Sequence, residues 1–379
     1  MTQRERFLAC MSFRPVDRVP LMEMGVWDET LERWHHEGLP KWVTSIRHLE
    51  DRLGLDRSFN LDWLPIDGGI FPGFELQVLE DTAEDQVVRD EHGVTYRQRK
   101  RHRTIPQYLR FPVETEADYE RLLPRLDPAD PGRYAADFDE DLRCRRVRGE
   151  LVGLSFRSFF GFPRGLMGLE NLCFAFHDQP GLVRRIIGDR VRFAKRLLER
   201  VLATGELDFV QVWEDMACKT GSLVSPAMVR EFILPAWAEL AAHLRAAGVP
   251  LVMVDCDGRV DELLPLFLEA GMDGTHPCEI AAGSDPVALR RRHPRCLLMG
   301  GMDKRAIASG RHGVDAELAR VLPLVREGGF VPMLDHYVPP DVSFETYRYY
   351  VERRRELLAT SPARRPTDGS GTSSRPRSR

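Results

Sequence analysis

Acids, histidines and cysteines crowd the ends of four short apolar runs in the second half of the chain. These are LVMVDCDG (251–258), MDGTHPCE (272–279), LLMGGMDK (297–304) and VPMLDHYVPPD (331–341). Such side chains move protons, hold metals or bind charged groups. Glu214 closes another such run, DFVQVW, with Asp215 beside it. Glu214, His276 and Asp303 are the candidate catalytic groups, and Glu279 and Lys304 the candidate substrate contacts. Each has a plainer role open to it: loop hydrogen bonding for His276 and Glu279, an internal ion pair for Asp303 and Lys304, and a cap or a pairing with Lys219 for Asp215. Gly300 and Gly301 would let a ligand approach the backbone. Arg157, closing LVGLSFR, either grips an anionic group or pairs with an acid nearby. Glu23 and Trp27 lie at the mouth of the first strand, where an aromatic wall suits a pocket, although Trp27 fits the core equally well.

The elements that must position these residues alternate. Helical stretches such as Val260 to Ala270 and Asp315 to Arg326 separate the apolar runs. A strand–helix rhythm of roughly 20–30 residues is that of βα repeats around a parallel sheet. In a parallel barrel every strand C-terminus opens on one face, so polar strand ends from distant parts of the sequence meet there. An enzyme site is the leading reading. Upstream, residues 2–17 read as a short helix ending at Pro15, followed by a first strand from Arg18 to Val26. The segment 74–112 reads as an inserted β-hairpin, LQVLED against GVTYRQRK, around a turn at Asp90–Gly93. Residues 114–148 read as an exposed helix or two, and further strands are expected at 151–157 and 208–214. Ser225 before Pro226 marks a helix start and Gly248 its end. A last helix starts at Ser343, with Tyr347, Tyr350 and Val351 as packing positions. Residues 1–358 thus form one domain, and the polar segment 359–379 is expected to be disordered.

Composition narrows the function. The chain has 379 residues, 43% of them hydrophobic and 30% charged, enough to bury a large core. A net charge of −4 argues against general nucleic-acid binding, which needs a basic face. No run approaches the ~20 apolar residues of a membrane span, and the N-terminus does not read as a signal peptide. Seven scattered cysteines fit reduced thiols in a cytoplasmic protein. Phosphate loops, GxSxG elbows and nucleotide fingerprints are absent.

Four segments resemble one known superfamily: RERFLACMSFRPVDRVPL (4–21), WEDMACKTGSLVSPAMVREFILPAW (213–237), GGMDKRAIA and GGFVPMLDHYVPPDVSFETYRYYVE. It is the uroporphyrinogen decarboxylase superfamily, which also contains the zinc-dependent methyltransferases that act with corrinoid proteins. The resemblance spans about residues 4–357 and implies a (β/α)8 TIM barrel. True decarboxylases follow the first strand with an arginine-rich loop that grips substrate carboxylates. Here Met22 to Asp28 contains no arginine, which counts against binding a many-carboxylate tetrapyrrole.

The methyltransferase branch holds zinc with a His-x-Cys-Gly motif and a later cysteine. This chain has Val254-Asp255-Cys256-Asp257-Gly258, which keeps the cysteine but not the histidine, and the later cysteine falls near Asp335-His336. The resemblance therefore implies a zinc site of Cys256, His336 and a carboxylate such as Asp255, with a harder ligand set suited to activating an alcohol, ether or amine. The plainer reading makes Asp255 and Asp257 helix caps and Cys256 a packing residue. The expected function is metal-dependent methyl transfer or demethylation of a small substrate, with a corrinoid protein as partner. A tetrapyrrole decarboxylase and a non-catalytic small-molecule-binding barrel are the alternatives.

Overall fold

The computed structural model describes residues 1–57, 63–100 and 106–360. Most of the expected disordered tail lies outside the described residues.

The first four strands are β1 (Gln77–Asp81), β2 (Asp85–Arg89), β3 (Thr95–Arg99) and β4 (Gln107–Arg110). They form an antiparallel sheet in the order β1-β2-β3-β4. This differs from the single hairpin expected at 74–112: LQVLED pairs with β2, and β2 in turn pairs with GVTYRQRK. Between those two segments the chain reverses one extra time because Thr82 makes a side-chain turn, its hydroxyl accepting from the Asp85 amide at 3.0 Å, and β4 adds a further strand against β3. Asp90 makes the anticipated second turn, accepting from His92 and Val94 amides.

The main sheet is parallel. Its strands are β5 (Gly153–Arg157), β6 (Phe209–Trp213), β9 (Leu251–Asp255), β10 (Gly274–His276), β11 (Leu297–Met302) and β12 (Phe330–Leu334), in the order β12-β11-β10-β9-β6-β5. The small pair β7 (Ala217–Cys218) and β8 (Gly221–Ser222) lies between β6 and β9 in sequence. Every residue of β9, β11 and β12 is buried, as expected of parallel strands covered on both faces. Helices supply the cover. Pro180–Leu202 buries an apolar stripe that includes Leu182, Ile186, Val191 and Leu198. The helix Phe344–Thr360 sets Tyr347, Tyr350 and Val351 into the core, as their spacing anticipated.

Two further segments lie along the edges of this sheet. Val26 bridges Val338 in parallel beyond β12, and Trp63 bridges Gly153 in parallel beside β5. Residues 18–26 do not form the continuous strand expected there. Pro20 has no amide hydrogen to offer a ladder, and the Leu21 amide donates to the Asp56 carboxylate at 2.8 Å instead.

Glu23 was expected at the mouth of this first segment but faces elsewhere. Its carboxylate accepts from the Leu334 amide at 2.9 Å and pairs with Arg354 at 3.2 Å, both side chains being wholly buried. Arg354 also donates to the Pro332 carbonyl and the Tyr350 hydroxyl. The pair therefore ties the first segment and β12 to the last helix. Removing one partner strands the other charge in the core, so Arg354→Ala should cost about 3–5 kcal/mol. Urea denaturation of the variant and the parent chain measures this, and a difference below about 1 kcal/mol would contradict it.

Candidate active site at the strand C-termini

Parallel register sets the first row of the site. Trp213 stands beside Asp255, and Asp255 beside His276, at the ends of adjacent strands. Asp255 accepts from Gln211 Nε2 at 2.6 Å, and its other oxygen lies 4.0 Å from His276 Nδ1. Burial pushes the Asp255 carboxyl well above its usual range, with Asp257 and Asp215 adding to the effect. Burial also lowers His276 to about 3. At neutral pH His276 therefore carries no charge, and the same dry interior disfavours the charged form of Asp255.

The second row lies further out and is strongly acidic. Lys304 Nζ sits 3.4 Å from Glu279 and 3.5 Å from Asp335. Asp335 is fully buried and accepts from the Ile280 and Lys304 amides, so it brackets the loops after β10 and β11. Glu279 accepts from the Gly258 amide at 3.3 Å. Asp257 Oδ2 lies 3.7 Å from His336 Nε2. His336 stacks on Trp27 with ring centroids 5.7 Å apart, and Tyr337 closes the same wall at 5.0 Å from Trp27. Burial and then Lys304 lower the His336 pKa. Asp215 adds another carboxylate. It adopts a left-handed φ of 46° and is held by Arg164, which also donates to its carbonyl at 2.6 Å.

The strand-end cluster thus brings together Asp255 and His276 in one row, and Glu279, Lys304, His336 and Trp27 in the other. It does not gather the rest of the expected set. Glu214 is completely buried, accepting from the Phe159, Phe160 and Gly161 amides at 2.7–3.1 Å and from the Trp237 indole at 2.5 Å. Its lone pairs are spent on the turn after β5. Asp303 turns the other way, capping the helix Lys304–Ala308 and pairing with Arg305, so its plainer role as a partner in an internal ion pair is the one seen. Gly300 and Gly301 serve packing rather than ligand approach: a Cβ on Gly300 would sit 2.0 Å from the Pro277 carbonyl oxygen. Arg157 lies beside Trp213, its guanidinium carbon 5.2 Å from the ring centroid.

The expected zinc ligands do not assemble in this arrangement. Cys256 is buried, its sulfur accepting from the Met216 amide and donating to the Asp257 carbonyl, both at 3.4 Å. Burial raises its thiol pKa far above the thiolate range. Among the described residues no group of three or more His, Cys, Asp or Glu is placed to hold a metal ion. Asp335, Gln211, Tyr337 and Arg164 were missed in the sequence. Gln211 had a signal, as the one polar residue within the apolar strand FVQVW.

Comparison with known proteins now adds to the geometry. A family model for uroporphyrinogen decarboxylase (URO-D) matches residues 162–357, more than half of the chain. The chain belongs to the URO-D family. It is a distant member. The uroporphyrinogen decarboxylase of Rhodococcus erythropolis is 28% identical over 251 residues, covering 61% of this chain and 65% of that protein. The one from Xanthomonas euvesicatoria pv. vesicatoria is 23% identical, over 94% of this chain and 99% of its own length. A methyltransferase from Methanosarcina mazei superposes with a TM-score of 0.59 at 14% identity, covering 94% of this chain and 99% of that one. Family and neighbour agree on an α/β fold of TIM-barrel type. No helix among the described residues of this URO-D-family chain is long and apolar enough to cross a membrane.

The crowding of carboxylates has a measurable consequence at Asp257. Burial, then Asp215 and Glu279, raise its pKa from 3.8 to about 7. A raised folded-state pKa means that protonation favours the fold; the contribution is complete below the unfolded value and disappears as pH rises through about 7. Asn mimics the protonated acid. Asp257→Asn should therefore raise the melting temperature at pH 8.5 by on the order of 1–2 °C and leave it unchanged at pH 4. Scanning calorimetry across pH checks this, and an equal shift at both pH values would contradict it.

Proposed function

We propose that this URO-D-family chain is an enzyme that transfers a methyl group from a small methylated substrate, at the acidic rim formed by Asp257, Glu279, Asp335, Lys304 and His336. On this reading it stands near the methyltransferase branch of the family. Its strands would close into a (β/α)8 barrel through the segments that bridge at Val26 and Trp63. The observation that carries the reading is the charge of the rim. Among the described residues the carboxylates of Glu279, Asp335 and Asp215, with Asp257 poised near neutrality, gather around Lys304 and Arg164, with Arg305 further out. A many-carboxylate tetrapyrrole would meet repulsion in such a site, whereas a neutral or cationic small molecule would not.

The residues supply acid–base chemistry. Asp257 is poised near neutrality, and His336 beside it is neutral. When a methyl group leaves an oxygen or nitrogen, the bonding pair stays on that heteroatom, which must then gain a proton. On this reading Asp257 would donate it, and His336 would return one from solvent. Trp27, Tyr337 and His336 pack against one another and would offer the substrate an aromatic wall on one side. A corrinoid protein is the methyl acceptor this reading calls for. Zinc at Cys256 rests on the family resemblance alone, and elemental analysis before and after Cys256→Ser tests it directly.

The functional test incubates the purified chain with reduced cobalamin and panels of methyl ethers and methylamines, following formation of methylcobalamin. Turnover should fall at least about tenfold to a hundredfold in His336→Ala and Asp257→Asn, the usual range for losing an acid–base group. Uroporphyrinogen should emerge with its carboxyl groups intact. Its decarboxylation, with no methylcobalamin formed from any donor, would sink the proposal in favour of the activity named for the curated relatives.

A further inference from the structure

The rim is acidic on one side only. On the other side β5 ends at Arg157, whose guanidinium faces a cavity of about 240 Å³ lined by Gly68, His92, Ser155, Phe156, Phe162 and Gly165, among others. Tyr108, Arg164, Asp90 and Arg190 act on this guanidinium, and no ion pair joins it to a carboxylate among the described residues. Asp67 also lines the cavity, but its Oδ1 accepts from the Gly69 amide at 2.7 Å. Two further arginines stand behind the wall. Arg190 is buried and donates to the carbonyls of Arg157 and Gly68, while buried Arg133 donates to those of Asp67 and Gly69. Both positive charges are met by backbone oxygens, not by carboxylates.

We propose that Arg157 is an anion subsite that holds the carboxylate of a small, partly apolar acid, with the rest of that substrate reaching across Trp213 to the acidic rim. This rests on the reading of the rim as the reacting site and names the substrate class for it. A single exposed guanidinium fork presents two parallel donors, which match one carboxylate in geometry and in charge. A phosphate dianion would need a second cationic donor facing the cavity, and Arg190 and Arg133 are already turned to carbonyls. Phe156 and Phe162 in the wall suit an apolar body next to the acid group. Trp213 lies between the two halves, with Arg157 at 5.2 Å and Arg164 at 5.8 Å from its ring centroid, and Arg164 pairs with Asp215 of the rim.

Calorimetric titration of the full chain with benzoate, its neutral counterpart benzamide, and inorganic phosphate tests the subsite without turnover. Benzoate should bind one per chain and at least tenfold more tightly than either of the others. Arg157→Gln should weaken benzoate at least tenfold, and Arg157→Lys, which keeps the charge but loses the fork, by less. Gly165→Ala provides a second perturbation, because its Cβ would stand 2.8 Å from Arg157 Nη1 and displace the guanidinium while keeping its charge. It too should weaken benzoate. Unchanged affinity in Arg157→Gln, preference for phosphate, or no saturable binding of benzoate would each overturn the subsite. Because the readout is binding, a failure of the methyl-transfer reading leaves this result standing, and a failure here leaves the transfer assay intact.

Discussion

One buried carboxylate organises the mouth of this protein. Glu214 ends β6 inside the structure and accepts from three consecutive amides of the turn after β5. An unpaired buried amide costs on the order of 1–3 kcal/mol, so satisfying three at once strongly favours this one path for the turn. The path brings Gly161 so close to Trp213 that a Cβ there would sit 2.3 Å from the Trp213 carbonyl oxygen. Arg164, one turn further along the helix Gly161–Met167, is thereby brought onto Asp215. Burial pushes the Glu214 carboxyl up in pKa while its donors pull it down, a balance typical of a charge used for architecture.

The two sides of the rim follow from where the arginines are spent. On the side of β9 to β12 the loops are held by carboxylates that accept backbone amides, as Asp335 and Glu279 do. Such loops leave negative charge at the surface of the site, with Lys304 as the main compensation. On the side of β5 the loops are held by arginines that donate to backbone carbonyls, as Arg190 and Arg133 do. The same need, to satisfy polar backbone in a crowded interior, thus leaves opposite charge on the two sides of the strand ends.

Much of the scaffold was legible. Apolar runs of four to six residues ending in polar ones became β5, β6, β9, β11 and β12, because parallel strands buried on both faces carry continuous apolar sequence. The cap at Ser225, whose hydroxyl accepts from the Met228 amide, and the left-handed Gly248 were legible because their chemistry is local. The meander at 77–110 was read two strands short: β2 was missed because a serviceable turn at Thr82 carries no glycine or proline to announce it, and β4 was not anticipated.

For the site, the sequence by itself determined which residues stand at strand ends, and hence that Asp255, His276 and His336 lie toward one face; Asp303, expected with them, turns instead to Arg305 and the helix it caps. It also determined the departures from the family's pattern, the missing arginines at 22–28 and the missing histidine before Cys256. Only the tertiary structure decided which acids remain available. Glu214, Glu23 and Asp303 resemble Asp257 in sequence, but amides, Arg354 and Arg305 respectively claim them. The partners of Glu214 and Glu23 lie 54 and 331 residues away, and no local pattern encodes a contact at such separations, whereas Arg305 stands two residues from Asp303. A carboxylate's chemistry depends on its burial and its neighbours, and these exist only once the chain has folded.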